Sequence, residues 1–124
     1  MTRLVLDSWT WLEIFLKGPK AKTVLKCISE ADEVLTTAAN AYEVLYRVAE
    51  DAGGKIAEER RQFIQNSARI ISIDLEIATI AAGLHKTANL PAVDAFTLAA
   101  ARLNNAKVLT GDPHFKGIKD AILL

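Results

Sequence analysis

Arg3-Leu4-Val5-Leu6-Asp7-Ser8 is a short apolar run that ends on an acid. Its residues do not alternate between apolar and polar. They read as a strand covered on both faces, which is the habit of parallel sheets flanked by helices. Similar short apolar runs recur down the chain. Glu33–Thr36 gives a second strand, Arg69–Ile73 a third rich in β-branched residues, and Lys107–Thr110 a fourth. Ala121–Leu124 is a candidate fifth.

The stretches between the runs carry the helical period instead. Trp9–Lys17 is apolar nearly all round and is stopped by Gly18-Pro19. Ala21, Val24, Leu25 and Ile28 repeat at i, i+3, i+4 and i+7. Ala41, Val44, Leu45 and Val48 form a further stripe, ended by Gly53-Gly54, and Lys55–Ser67 follows with Ile56, Phe63 and Ile64 as its apolar side. Ile77, Ile80, Ala81, Leu84 and Ala88 mark another helix, and Pro91 opens an Ala-rich one running to about Asn104. Strands that alternate with helices predict an α/β domain on a parallel sheet. With no repeat and no Pro/Ser-rich linker, residues 1–124 read as one domain.

Composition sets the outer limits. The 124 residues are 51% hydrophobic, enough for a core without disulfides, and Cys27 is the single cysteine. A lone thiol fits a reducing compartment. Met1–Asp7 lacks a basic segment leading into a long apolar run, so no signal peptide is expected, and no run of apolar residues is long enough for a membrane span. The expectation is a soluble, cytoplasmic protein. Fifteen basic residues balance fifteen acidic ones. A net charge of zero leaves no global basic footprint for nucleic acid, so any nucleic-acid path must be a local groove.

In open parallel sheets ligands sit beyond the carboxyl ends of the strands, at a switch point. Asp7 follows the first strand and Asp112 follows the fourth. Each acid also has a plain structural reading. Asp7 fits a cap for the helix after it. Glu43 fits an ion pair with Arg47 at i+4. Asp94 fits the first turn after Pro91, where a carboxylate complements the helix dipole. Asp112 before Pro113 fits an N-cap with Pro at the first helical position.

Taken together the acids say more. Asp7 stands in Leu-Val-Leu-Asp-Ser, Glu43 in Ala-Tyr-Glu-Val-Leu, Asp94 in Val-Asp-Ala-Phe-Thr-Leu-Ala-Ala-Ala, and Asp112 in Val-Leu-Thr-Gly-Asp-Pro-His-Phe. In this order and at these spacings the chain resembles the PIN domain family, and in size and detail its VapC toxins of toxin–antitoxin pairs. The local departure is Pro91-Ala92-Val93 before Asp94. The resemblance implies a three-layer α/β/α sandwich on a four- to five-stranded parallel sheet. It implies an acidic quartet of Asp7, Glu43, Asp94 and Asp112, supported by Ser8 and Thr110. It also implies metal-dependent endoribonuclease activity on RNA, a VapB-like antitoxin partner and a homodimer. A housekeeping PIN nuclease of RNA maturation, or a catalytically inactive PIN interaction module, is the alternative.

Charge arithmetic agrees with a metal role. At about 4 Å and an effective dielectric of about 20, each like-charge pair costs on the order of 4 kcal/mol. Converging carboxylates are tolerated when protonated or when cations sit among them. Oxygen ligands favour Mg²⁺ or Mn²⁺, while Cys27, His85 and His114 lack zinc-ligand spacing.

The remaining features read structurally. Trp9 and Trp11 suit a core or a partner surface. Thr10 and Glu13 fit a capping box. Arg47 suits an ion pair with Glu43 and Glu50 or a phosphate contact, His114 a turn or an approach to the site, Asp74 a helix cap, and Lys17, Lys20, Lys22 and Lys26 a solvated face or part of an RNA path.

Overall fold

A computed structural model describes all 124 residues. Strand β1 spans Arg3–Leu6 and is followed by helices α1 (Ser8–Phe15) and α2 (Ala21–Glu30). Strand β2 (Glu33–Thr37) leads into α3 (Ala38–Ala52) and α4 (Gly54–Ser67). Strand β3 (Arg69–Ile71) precedes α5 (Leu75–Thr87) and α6 (Ala92–Leu103). Strand β4 (Lys107–Thr110), a 3₁₀ turn (Pro113–Phe115) and β5 (Ala121–Leu123) close the chain.

The sheet has five strands in the order β3-β2-β1-β4-β5. Every pairing is parallel, with Leu4 opposite Val34 on one side and Leu6 opposite Leu109 on the other. Successive side chains of a strand point to opposite faces, and β1 feeds both layers this way. Val5 joins Leu35, Val108 and the inner residues of α5 and α6 in one core. Leu4 and Leu6 join Trp11, Val24, Val44, Ile64 and Leu109 in the other, under α1–α4. This is the expected α/β/α sandwich with all five strands present.

Trp11 anchors the second layer. It is 1% exposed, yet its indole N–H is satisfied, donating to the Thr36 hydroxyl at 3.0 Å. That hydroxyl in turn donates to the Leu6 carbonyl at 2.7 Å. A large buried aromatic with its polar atom paired contributes area without an unsatisfied group. Trp9 is only half-buried, and Leu16 at the end of the same helix is 71% exposed.

Some boundaries differ from the sequence reading. Helix α1 ends at Phe15, because Lys17 takes a left-handed conformation (φ 52°) and the Gly18 amide turns back to the Glu13 carbonyl. The Thr10–Glu13 capping box does not form. Asp7 caps α1, Thr10 holds Asp7, and Glu13 accepts from the Lys20 amide at 3.0 Å. A capping box does exist one helix pair later, between Thr37 and Asn40. Strand β3 stops at Ile71, since its ladder ends where Thr37 of β2 gives way to α3. Asp74 caps α5 through the Ile77 amide, as expected. No helix is long and apolar enough to cross a membrane.

Candidate metal centre

Because β1 and β4 are neighbours in register, their carboxyl ends deliver Asp7 and Thr110 side by side. Asp7 is 2% exposed. Its Oδ1 accepts from the Thr10 amide and lies equally close, at 2.9 Å, to the Thr10 hydroxyl. That hydroxyl is nearer still to the Leu109 carbonyl, at 2.6 Å, so its one proton is shared between two acceptors. Asp7 Oδ2 accepts from the Thr110 hydroxyl, and the same Thr110 oxygen accepts from the Asp112 amide at 2.9 Å. Thr110 thus ties the first acid to the backbone of the last.

Burial, the largest influence, pushes the Asp7 carboxyl up to about 6. The hydrogen bonds from Thr110 and Thr10 oppose that shift, and the Asp112 charge adds to it. Asp94 sits in the first turn of α6 with its side chain 13% exposed. Its pKa also rises to about 6, from burial first and then from the charges of Asp112 and Asp7; His114 opposes the shift and Glu43 adds to it. Two acids are therefore held where ionisation is costly, each within the field of the others.

Asp112 Oδ1 accepts from the His114 amide at 2.9 Å and lies 3.0 Å from His114 Nδ1. The same Nδ1 is 3.2 Å from Asp94 Oδ2. Ligand atoms of Asp94, Asp112 and His114 all fall within 4.8 Å of one another, and this is the tightest potential metal-binding group in the chain. Asp7 is outside that group, its carboxylate accepting from the Thr10 amide and from the hydroxyls of Thr10 and Thr110. Glu43, half-buried on α3, is also outside the group and lines a cleft of about 280 Å³ with Ser8, Trp9, Arg47 and Asp112.

The structural readings of Asp7 and Asp112 as caps are realised: Asp7 accepts from the Thr10 amide and Asp112 from the His114 amide. The ion pair proposed for Glu43 and Arg47 is not formed. The chain's ion pairs join Arg61 to Glu58, Arg69 to Glu33, Arg102 to Asp120, and His114 to Asp94 and Asp112. Lys17, Lys20, Lys22 and Lys26 are exposed, as a solvated face requires. His114 does occupy a turn, and its ring also approaches the site, lying between Asp94 and Asp112.

A buried polar layer under the cluster also went unread. Asn40 is fully buried, and its Oδ1 accepts from Thr37 and from Thr97, while its Nδ2 donates to the Ser8 hydroxyl at 3.2 Å. The signal was the Thr37-x-x-Asn40 spacing ahead of the α3 stripe, with Asn40 one turn before Glu43 on the same face.

The sequence pattern of the PIN domain matches residues 4–121. The chain belongs to the PIN domain family. No curated protein matches it in sequence. Solved structures share the PIN fold over almost the whole chain. A toxin–antitoxin complex from Klebsiella pneumoniae is 20% identical, with a TM-score of 0.80 over 96% of this chain and 95% of that one. VapC20 of Mycobacterium tuberculosis, a sarcin–ricin loop cleaving toxin, is 14% identical, with a TM-score of 0.80 over 94% and 95%. FitAcB from Neisseria gonorrhoeae is 21% identical, with a TM-score of 0.74 over 98% and 96%. In this PIN domain the cluster occupies the carboxyl edge between β1 and β4, where ligands of open parallel sheets collect.

Proposed function

We propose that this PIN domain is a divalent-metal-dependent endoribonuclease and the toxin of a toxin–antitoxin pair. The observation that carries the metal reading is the convergence of buried Asp7 and half-buried Asp94 with Asp112 on one sheet edge. Asp7 and Asp94 are both raised to about 6, so near neutral pH the cluster holds charge that burial and mutual repulsion disfavour. A cation among the oxygens relieves that cost. The donor set, carboxylates with one imidazole, fits Mg²⁺ or Mn²⁺.

When bound, such a cation neutralises charge on a phosphodiester and yields a nucleophilic water near neutral pH. Asp94 and Asp112 would hold it, with Asp7 and Glu43 completing the acidic set. Thr110 and Thr10 fix the Asp7 carboxylate, and the Ser8–Asn40 contact fixes the start of α1. Arg47 lines the same cleft and is free of ion pairs, so it is available to an RNA phosphate.

The toxin reading is supported by the likeness in fold to structures described as a toxin–antitoxin complex and as a sarcin–ricin loop cleaving toxin. It carries with it a VapB-like antitoxin, a homodimer and a cytoplasmic setting. An apolar groove of about 390 Å³ between α3 and α4, lined by Tyr42, Leu45 and Ile70 among others, suits an antitoxin segment.

Cleavage of RNA by protein freed from its partner tests the reading. The expected products carry 5′-phosphate and 3′-hydroxyl ends. EDTA abolishes cleavage, and Mg²⁺ or Mn²⁺ restores it. A 2′,3′-cyclic phosphate that accumulates in EDTA would overturn the metal mechanism.

A further inference from the structure

We propose that His114 is itself a ligand of the cation held by Asp94 and Asp112, and that its imidazole biases the site toward Mn²⁺ over Mg²⁺. The inference rests on the metal reading above and goes beyond the four-acid set.

The geometry comes first. The nitrogen that faces the acids is Nδ1, 3.0 Å from Asp112 Oδ1 and 3.2 Å from Asp94 Oδ2. Ligand atoms on adjacent vertices of an octahedron with bonds of about 2.1–2.2 Å lie about 3.0–3.1 Å apart, and the two nitrogen–oxygen separations match that spacing. As a hydrogen-bonding arrangement the same geometry is poor. One N–H cannot point straight at two carboxylates, and each is left with a shared, bent bond. A cation serves the nitrogen and both oxygens together.

The ring is also placed in advance. Asp112 accepts from the His114 backbone amide, which sets the 3₁₀ turn opened by Pro113. The next residue, Phe115, is 1% exposed and packed in the core beneath α5 and α6, so the turn is pinned on its far side. The His114 side chain as a whole stays 56% exposed, which leaves a metal an open approach. Little ordering cost remains for binding.

The choice of ion follows from the donor. Mg²⁺ strongly prefers oxygen and keeps its waters. Imidazole nitrogen suits the later first-row ions, and affinity for a mixed site rises from Mn²⁺ through Co²⁺ to Ni²⁺. One nitrogen among oxygens therefore favours Mn²⁺ relative to Mg²⁺ without excluding Mg²⁺.

The test is metal binding by chelator-stripped full-length protein, read by calorimetry with Mn²⁺ and with Mg²⁺. Pulsed electron paramagnetic resonance of the Mn²⁺ form gives a second readout. The wild-type spectrum should carry nitrogen modulation from a coordinated imidazole. His114→Ala should lose that modulation and bind Mn²⁺ about 10-fold more weakly, while Mg²⁺ affinity changes by less than about 3-fold. His114→Gln, which offers an oxygen instead, should keep binding but lose both the modulation and the Mn²⁺ preference. If Asp112→Asn abolishes binding but His114→Ala leaves the Mn²⁺/Mg²⁺ ratio unchanged, and the wild type lacks nitrogen modulation, the His114 assignment is wrong and the acidic site stands. If the wild type binds neither ion, the metal reading itself fails.

Discussion

The ring of Trp9 fills the space in which a side chain at residue 111 would begin. A Cβ on Gly111 would overlap the six-membered part of the indole. The contact links α1 to the junction between Thr110 and Asp112, so a half-buried tryptophan at the cleft helps fix the last acid. Gly111→Ala should destabilise the protein by roughly 1–3 kcal/mol, the usual cost of overpacking. It should also displace Asp112 and lower cleavage. The double variant Trp9→Ala, Gly111→Ala should recover much of the stability in urea denaturation. Additive losses in the double variant would show that the ring is not the obstacle.

Thr110 bridges Asp7 Oδ2 and the Asp112 amide through one hydroxyl. Thr110→Val keeps the shape and deletes the bridge, leaving a buried carboxyl and an amide without their partner. The expected loss is roughly 1–3 kcal/mol of stability, with turnover reduced further than stability alone explains. Thr110→Ser keeps the hydroxyl and should retain most of both. Equal effects of Val and Ser, measured by denaturation and steady-state cleavage, would remove Thr110 from the site.

Asp94 gives a pH dependence with a definite sign. Its folded pKa of about 6 lies above the ordinary 3.8, so the folded state favours the protonated acid. That stability is fully present below about pH 4 and is lost as pH rises through 6. Asp94→Asn should therefore raise the thermal midpoint of the metal-free protein at pH 7.5. The gain is about 1–2 kcal/mol once solvent screening is allowed for. It should shrink toward pH 4. Added Mn²⁺ should stabilise the wild type and not the variant. A variant less stable than wild type at pH 7.5 without metal would contradict the strain assigned to the cluster.

Asn40 is the buried tie between the two ends of the polar layer. Asn40→Ala strips the acceptor from Thr37 and the donor from Ser8. Urea unfolding should report a loss of roughly 1–3 kcal/mol. A change below about 0.5 kcal/mol, the usual scatter of surface substitutions, would make the network incidental.

The sheet was legible because its strands are uninterrupted apolar runs and its helices carry clear stripes. Asp7 and Asp112 were legible because strand ends are where such sheets place ligands. Their cap hydrogen bonds, which made them look ordinary singly, turned out to be part of how the cluster is held. Other features depend on contacts between residues far apart in the chain. Nothing near His114 announces Asp94, 20 residues earlier, as the partner of its ring. Nothing near Asn40 announces Thr97, 57 residues later. Glu13 failed as a cap partner because Asp7, three residues before Thr10, already held the helix amide.

The hydrogen bond between Thr110 and Asp7 closes a loop of 103 residues. The central strand β1 (Arg3–Leu6) is made well before its sheet neighbour β4 (Lys107–Thr110). Contacts this distant in sequence form late, and synthesis proceeds at roughly 5–20 residues per second. A growing chain thus carries its first acid for seconds before the last can join it. Under the function proposed here, the blade stays unassembled until β4 has emerged, and the strands made before it cannot cut by themselves.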